Sequence, residues 1–336
     1  MNKIVNAPGA MIREMLEGYL ETCRGLLKAT PDGTGILRGD RPRKVSIVTG
    51  GGSGNEPWII GYVGKGLADG AALGNVYIAP AARSVLNVTR EVYHDRGVIY
   101  LCTNHAGDVL NFELVGELAQ LEGIETRCVF VADDVGSAPL GKQGERRGVA
   151  GIALVMKVAG AACEAGLSLG EAYRVIQKAN RNTFTFGVTT SPGYLPSGAA
   201  MCGLPDGQIE YGMGFNGEPG VLRTPLKPAD EIADTVLSYL LKGSGLREGD
   251  ELALMLNGYG FTSLLELCIV NRRLTRSLRE KGFRLHDSFV GSLFAPQGTG
   301  GFSVSVLKLD DELRPYYDAP AYSPFFRFVR PEEGEA

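Results

Sequence analysis

The sequence predicts an α/β fold of two units, each a largely parallel or mixed sheet flanked by helices. Three observations predict it. Short apolar, β-branched runs alternate with helical periodicity along the chain. Glycine, 47 of 336 residues, is about twice as frequent as the ~7% average and gathers after those runs, where backbone must turn or approach a ligand. The length suffices for two cores.

Taken in order, residues 9–28 read as an amphipathic helix with Ile12, Met15, Leu16 and Tyr19 on one face. A Gly/Pro/Asp-rich loop, 30–43, leads to the strand candidate 45–49. This ends in GGGSGNEP (50–57), followed by a helical stretch to about Leu67. Strand candidates at 75–79 and 97–103 come next, and NHAG (104–107) turns into a helix with Leu110, Leu114, Leu118 and Leu121 at helical spacing. A run at 126–133, a polar segment at 134–148, and two helices at 149–165 and 168–182 complete the first unit, residues 1–183. The second unit, 184–336, begins with the run 184–190. It continues through a Gly/Pro loop (191–207), the run 209–215, a helix at 228–241, a strand at 251–257, a helix at 262–281, and runs at 283–294 and 302–309.

Composition excludes several classes. A net charge of -4 lacks the basic excess that phosphate-backbone binding requires, so no nucleic-acid partner is expected. The clusters Arg41/Arg43/Lys44 and Arg272/Arg273/Arg276 read as solvated faces. No apolar run is long enough to span a bilayer, and the N-terminus lacks the apolar core of a secretory signal. The six cysteines are scattered without metal or redox spacing, and the three histidines show no metal-ligand spacing. The cytoplasm is the expected compartment, and no metal site is expected.

Three loops could carry chemistry. Gly50–Gly54 leaves a strand and is expected to enter a helix, exposing amide N–H groups that suit an anion or a ligand hydroxyl; a tight structural turn would use the same glycines. It is neither a P-loop nor a dinucleotide fingerprint. Asn104–Asp108 follows another strand, and loops at the carboxyl ends of parallel strands face a common crevice. Asp108 is either a general base toward a hydroxyl or an ordinary helix N-cap, and His105 either structural or a proton carrier. Gly214–Gly220 reads by itself as a turn.

Together, GGGSGNEP, GYVGKGL, AGDVLNFELVGELA, RRGVAG, KVAGAACEAGLSL, NGEPG, LNGYG, TSLLEL and GFSVSVLKLDDEL stand in the order and spacing of one family. From about residue 5 to 326 the chain resembles the substrate-binding subunit of the dihydroxyacetone kinases. The resemblance implies two α/β domains, a homodimer, and a crevice for a short ketose. It also implies that this chain binds no cofactor, and that ATP or ADP with Mg sits on a separate nucleotide-carrying subunit. Carried over by position, Asp108 matches the catalytic aspartate, and Gly52, Ser53 and Gly54 match the first binding loop.

Four positions depart from the family pattern. The histidine of the first loop is Asn55, and the histidine that bonds the ketone covalently is Asn216. A lysine is replaced by Thr103, and the aromatic beside Asn104 is His105. A carboxamide nitrogen has its lone pair delocalised, so it neither adds to a carbonyl nor carries a proton near neutrality, yet it still donates and accepts hydrogen bonds. The expectation is therefore a kinase subunit that holds a ketose or polyol non-covalently, with Asp108 as base and Asn55, Thr103, Asn104, His105 and Asn216 among its substrate contacts. The alternatives are a non-catalytic ligand sensor acting through another protein, and unrelated chemistry on the same fold.

Overall fold

A computed structural model of the chain describes residues 4–195 and 197–329. Two six-stranded sheets organise them. The first contains β1 (Leu27–Ala29), β2 (Gly35–Arg38), β3 (Ser46–Ser53), β4 (Gly70–Val76), β5 (Val98–Thr103) and β6 (Thr126–Val131), in the order β1-β2-β4-β3-β5-β6. Strands β4, β3, β5 and β6 are parallel, and β1 and β2 form an antiparallel edge. The second contains β7 (Thr183–Ser191), β8 (Gln208–Tyr211), β9 (Leu222–Pro225), β10 (Glu251–Gly258), β11 (Arg284–Gly291) and β12 (Gly300–Leu309), in the order β11-β10-β12-β7-β8-β9. There only β10 and β11 are parallel.

The helices are α1 (Met11–Thr22), α2 (Ala82–Val92), α3 (Ala106–Leu121), α4 (Ile152–Glu164), α5 (Leu169–Arg181), α6 (Ala229–Ser244), α7 (Leu264–Glu280) and α8 (Leu313–Asp318). Side-chain alternation along each strand sorts them into layers. In β5, Val98, Tyr100 and Cys102 pack against α2 and α3, while Ile99 and Leu101 face the opposite way toward α4 and α5. In β10, Leu252, Leu254 and Leu256 pack on α6 and α7, while Ala253 and Met255 join the core that contains α4.

Helix α4 is thus enclosed between the two sheets. Every residue from Ile152 to Cys163 is buried, as expected of a helix apolar on all faces. Its one charged residue within that span, Lys157, donates to the carbonyls of Tyr316 and Ala319 and lies over the Phe328 ring. The C-terminal residues, including β13 (Ala321–Tyr322) and β14 (Arg327–Phe328), therefore return to the first unit, where Tyr322 bridges to Lys65.

Several expectations change. No α-helix follows GGGSGNEP: the glycines extend β3 and pair with β4, and the segment beyond makes only a 3₁₀ turn at Ile60–Tyr62. The returning C-terminal backbone leaves no room for side chains there, since a Cβ on Gly64 would lie 2.2 Å from the Tyr322 carbonyl oxygen. The strand expected at 75–79 lies earlier, at Gly70–Val76, because Tyr77 adopts φ 56° and turns the chain out of the sheet. The 30–43 loop contains β2, and α1 stops at Thr22, where Arg24 and Gly25 take positive φ. Three of the four α3 leucines face outward: Leu110, Leu114 and Leu121 are exposed, Leu118 is half-buried against the core, and Asp108, Phe112, Val115 and Ala119 form the buried face. Lys44 is not solvated; it is buried and bonded to Asp69 at 2.6 Å, whereas Arg41 and Arg272 make surface ion pairs. Among the described residues, no helix is long and apolar enough to cross a membrane.

Gly160 gives a test of the enclosure of α4. A Cβ there would sit 2.0 Å from the Gly66 carbonyl oxygen. Alanine normally stabilises a helix interior by about 1 kcal/mol over glycine. Gly160→Ala is expected to do the reverse, costing roughly 1–3 kcal/mol by overpacking, as measured by urea unfolding.

Candidate functional site

Strand order locates the site. From β3 the chain passes to β4 on one side and then to β5 on the other, so a crevice opens at the carboxyl ends of β3 and β5. The loops after these strands flank a cavity of about 280 Å³, which the second unit closes with Phe215, Asn216 and Phe294. Gly52, Asn55, Thr103, His105, Asp108 and Asn216 all line it.

Asp108 stands in the first turn of α3 and is buried. It is not the N-cap: His105 holds that position, and no side chain caps the helix. The Asp108 Oδ2 accepts a hydrogen bond from Thr103 Oγ1 at 3.1 Å, and Oδ1 has no partner. Burial raises its pKa to about 6, against the opposing effects of His105 and the Thr103 hydrogen bond. Asn55 repeats the pattern: its side chain is buried, and its Oδ1 also lacks a partner. An unpaired buried acceptor is costly, so two beside one cavity mark places for ligand O–H or N–H donors.

His105 Nε2 lies 2.9 Å from the Gly148 carbonyl oxygen. A carbonyl only accepts, so Nε2 carries the proton and Nδ1 is left with a free lone pair. Glu218 Oε1 is 3.9 Å from that Nδ1 and would pair with it once protonated. Gly148 must lack a side chain, because a Cβ would meet the Val131 carbonyl oxygen at 2.3 Å. Asn216 lies at the exposed rim, where its backbone N–H donates to Glu218.

Three expected contacts are absent from the lining. Ser53 Oγ donates to the Gly74 carbonyl, holding β3 to β4. Gly54, at φ 106°, gives its N–H to Glu56 and its carbonyl to the Gln297 N–H and Tyr77 O–H, so it shapes the loop. Asn104 turns away and donates to the carbonyls of Gly144 and Arg146. Without a helix behind it, the glycine loop also loses the helix-dipole argument for an anion.

The apolar wall was not anticipated. Trp58 stacks on Phe294 with ring centroids 5.5 Å apart, and Phe215 meets the same ring at 4.8 Å. Trp58 is the chain's single tryptophan and sits just after GGGSGNEP, a placement that could have pointed to it. Phe215 and Phe294 belong to distant runs that only tertiary packing joins. No lysine or arginine lines the cavity, and its one carboxylate is Asp108. Such a site suits a neutral, hydroxyl-rich small molecule and does not fit a magnesium nucleotide, whose phosphates need cationic partners.

A two-sheet α/β protein with a switch-point cavity walled by glycine and aromatic residues is, by class, a binder of small polar ligands. The chain belongs to the Dak1 family, whose domain matches residues 17–325. It is 36% identical over 332 residues to the "PTS-dependent dihydroxyacetone kinase 2, dihydroxyacetone-binding subunit DhaK" of Listeria innocua, covering 97% of this chain and 99% of that one. It is 37% identical over 342 residues to the "L-erythrulose kinase" of Pectobacterium atrosepticum, covering all of this chain but 58% of that enzyme. The solved structure of the "Dihydroxyacetone kinase operon co-activator Dha-DhaQ" matches with a TM-score of 0.89 at 27% identity, over 94% of this chain and 98% of that one.

The raised pKa of Asp108 has a consequence for stability. Its folded value of about 6 stands above the ordinary 3.8, so the folded chain holds this proton more tightly, and stability falls as pH rises between those values. Asp108→Asn is therefore expected to raise the thermal unfolding midpoint at about pH 7.5, with the gain shrinking by about pH 4. Calorimetry at the two pH values measures both.

Proposed function

We propose that this chain is the substrate-binding subunit of a dihydroxyacetone-kinase-like phosphotransferase. It holds a short-chain ketose or related polyhydroxy compound non-covalently. The observation that carries this reading is the pair of partnerless acceptors, Asn55 Oδ1 and Asp108 Oδ1, beside one uncharged aromatic-walled cavity. Ligand hydroxyls donate to both. With its pKa near 6, Asp108 is ionised at neutral pH and takes the proton of the hydroxyl that is phosphorylated, while Thr103 steadies its other oxygen. Asn216, at the rim, offers hydrogen bonds and no covalent anchor.

The nucleotide, ATP or ADP with Mg in this reading, is held by a separate subunit that delivers the phosphoryl group. The outward leucines of α3 support a seat for that partner, because the first turn of the same helix lines the cavity. A second exposed apolar cluster, Leu226, Phe261, Leu264, Leu265 and Ile269, belongs to the second unit away from the cavity and supports a homodimer contact.

The test is reconstitution with a nucleotide-carrying subunit and a panel of three- to five-carbon ketoses, aldoses and polyols. Turnover of at least one compound is expected, with Asp108→Ala lowering kcat by about 10²–10⁴-fold. Binding without transfer across the panel would instead favour a ligand sensor. Borohydride trapping followed by intact-mass analysis should show no dihydroxyacetone adduct at Asn216; a reduced adduct there refutes non-covalent capture.

For the partner seat, Leu114→Asp is expected to weaken association with the nucleotide-carrying subunit at least tenfold. Substrate affinity, measured on the isolated chain, should be unchanged.

A further inference from the structure

Behind the first cavity lies another of about 280 Å³ that the proposed reaction does not use. Two arginines, Arg146 and Arg181, line it, and no carboxylate does. Arg146 is only 1% exposed. Its Nε donates to the Ala138 carbonyl at 3.0 Å and its Nη2 to the Gly243 carbonyl at 2.8 Å, while Nη1 makes no hydrogen bond among the described residues. No carboxylate pairs with it directly: Asp134 is bonded to Arg147, and Asp133 accepts from the amides of Val149 and Gly151, so both offset its charge only from a distance.

A guanidinium stays charged in a protein, so an arginine that lines a cavity with no carboxylate bonded to it favours an anion there. Arg181 is exposed, and it makes no ion pair among the described residues. Around the arginines, Asn104 and Gln177 use their amide N–H groups on neighbouring residues, which leaves each side-chain oxygen as an acceptor. Phe130 and Phe184 supply an apolar wall.

We propose that this second cavity binds a small phosphate monoester carrying hydroxyl groups. Arg146 and Arg181 take the phosphate, and the Asn104 and Gln177 oxygens accept from the hydroxyls. The inference goes beyond the proposed reaction, and its binding claim stands without it. Neighbouring residues of the same segments line the two cavities: Thr103, His105 and Gly148 line the first, and Asn104, Gly144 and Arg146 the second. Asn104 bonds the carbonyls of Gly144 and Arg146, and two residues further on Gly148 accepts from His105. A ligand pulling on Arg146 therefore acts on the segment that positions His105, which makes the second cavity a place from which the first can be regulated.

Calorimetric titration of the full chain with glycerol 3-phosphate and with inorganic phosphate tests the proposal. The ester is expected to bind, and more tightly than inorganic phosphate. Arg181→Ala, a change at an exposed position that leaves the fold intact, should weaken it at least tenfold, and Arg146→Lys should do likewise. Asp108→Asn alters only the first cavity and should leave the affinity unchanged. The proposal is overturned if neither ligand binds at up to about 10 mM, a limit corresponding to very weak affinity. It is equally overturned if inorganic phosphate binds as tightly as the ester, if Arg181→Ala has no effect, or if Asp108→Asn abolishes binding. None of these outcomes depends on kinase turnover, so failure here is separable from failure of the phosphotransferase reading.

Discussion

The site depends on how the start of α4 is held. Asp133, fully buried just beyond β6, accepts the N–H groups of Val149 at 2.7 Å and Gly151 at 2.8 Å. A carboxylate at the amino end of a helix meets unpaired amides and the positive end of the helix dipole, and these offset the cost of burying it. Its neighbour Asp134 pairs with Arg147, which also donates to the Gly212 carbonyl of the second unit. Burial still lifts Asp134 to about 6, so the pair is held against its own desolvation. Together the two aspartates set the path of residues 144–151. That path places the Gly148 carbonyl on His105 and the Arg146 carbonyl on Asn104.

With that segment in place, the cavity differs from an ordinary charged kinase pocket. Its polarity comes from carboxamide, hydroxyl, imidazole and one carboxylate, and its shape from four aromatic rings, Trp58, Tyr77, Phe215 and Phe294. In the proposed function, asparagine at 55 and 216 offers hydrogen bonds without a nucleophilic nitrogen, so recognition is separated from covalent capture. In the proposed reaction Asp108 has the demanding role. The same burial that destabilises its ionised form tunes it near neutrality, an exchange of fold stability for chemistry that is common at functional sites.

A second polar network lies far from the cavity. Arg38, Asp69, Lys44 and Glu164 join β2, the β3–β4 connection and the end of α4, with Asp69 also accepting the Ile47 N–H at 2.8 Å. Buried ion pairs of this kind add little net stability but penalise any arrangement that leaves one charge alone. Here they fix the far end of α4, as Asp133 fixes its start.

By itself the sequence determined the α/β class, strands near 45–49, 97–103, 126–133, 184–190, 251–257 and 302–309, the paired helices α4 and α5, and the loops holding Asn55, Asp108 and Asn216. These are local signals: apolar periodicity, β-branched runs, and glycines at their ends. Only the tertiary structure decided that GGGSG continues a strand, that Leu110, Leu114 and Leu121 of α3 face outward, and that Lys44 is buried. Those outcomes are set by which backbone or charge lies opposite, and other elements supply it: β4 for the glycines and Asp69 for Lys44. For the same reason Trp58, Phe215 and Phe294 became one wall, and Ser53, Gly54 and Asn104 turned from expected contacts into supports. A side chain's type is written locally, but its direction is settled by the neighbours that packing brings.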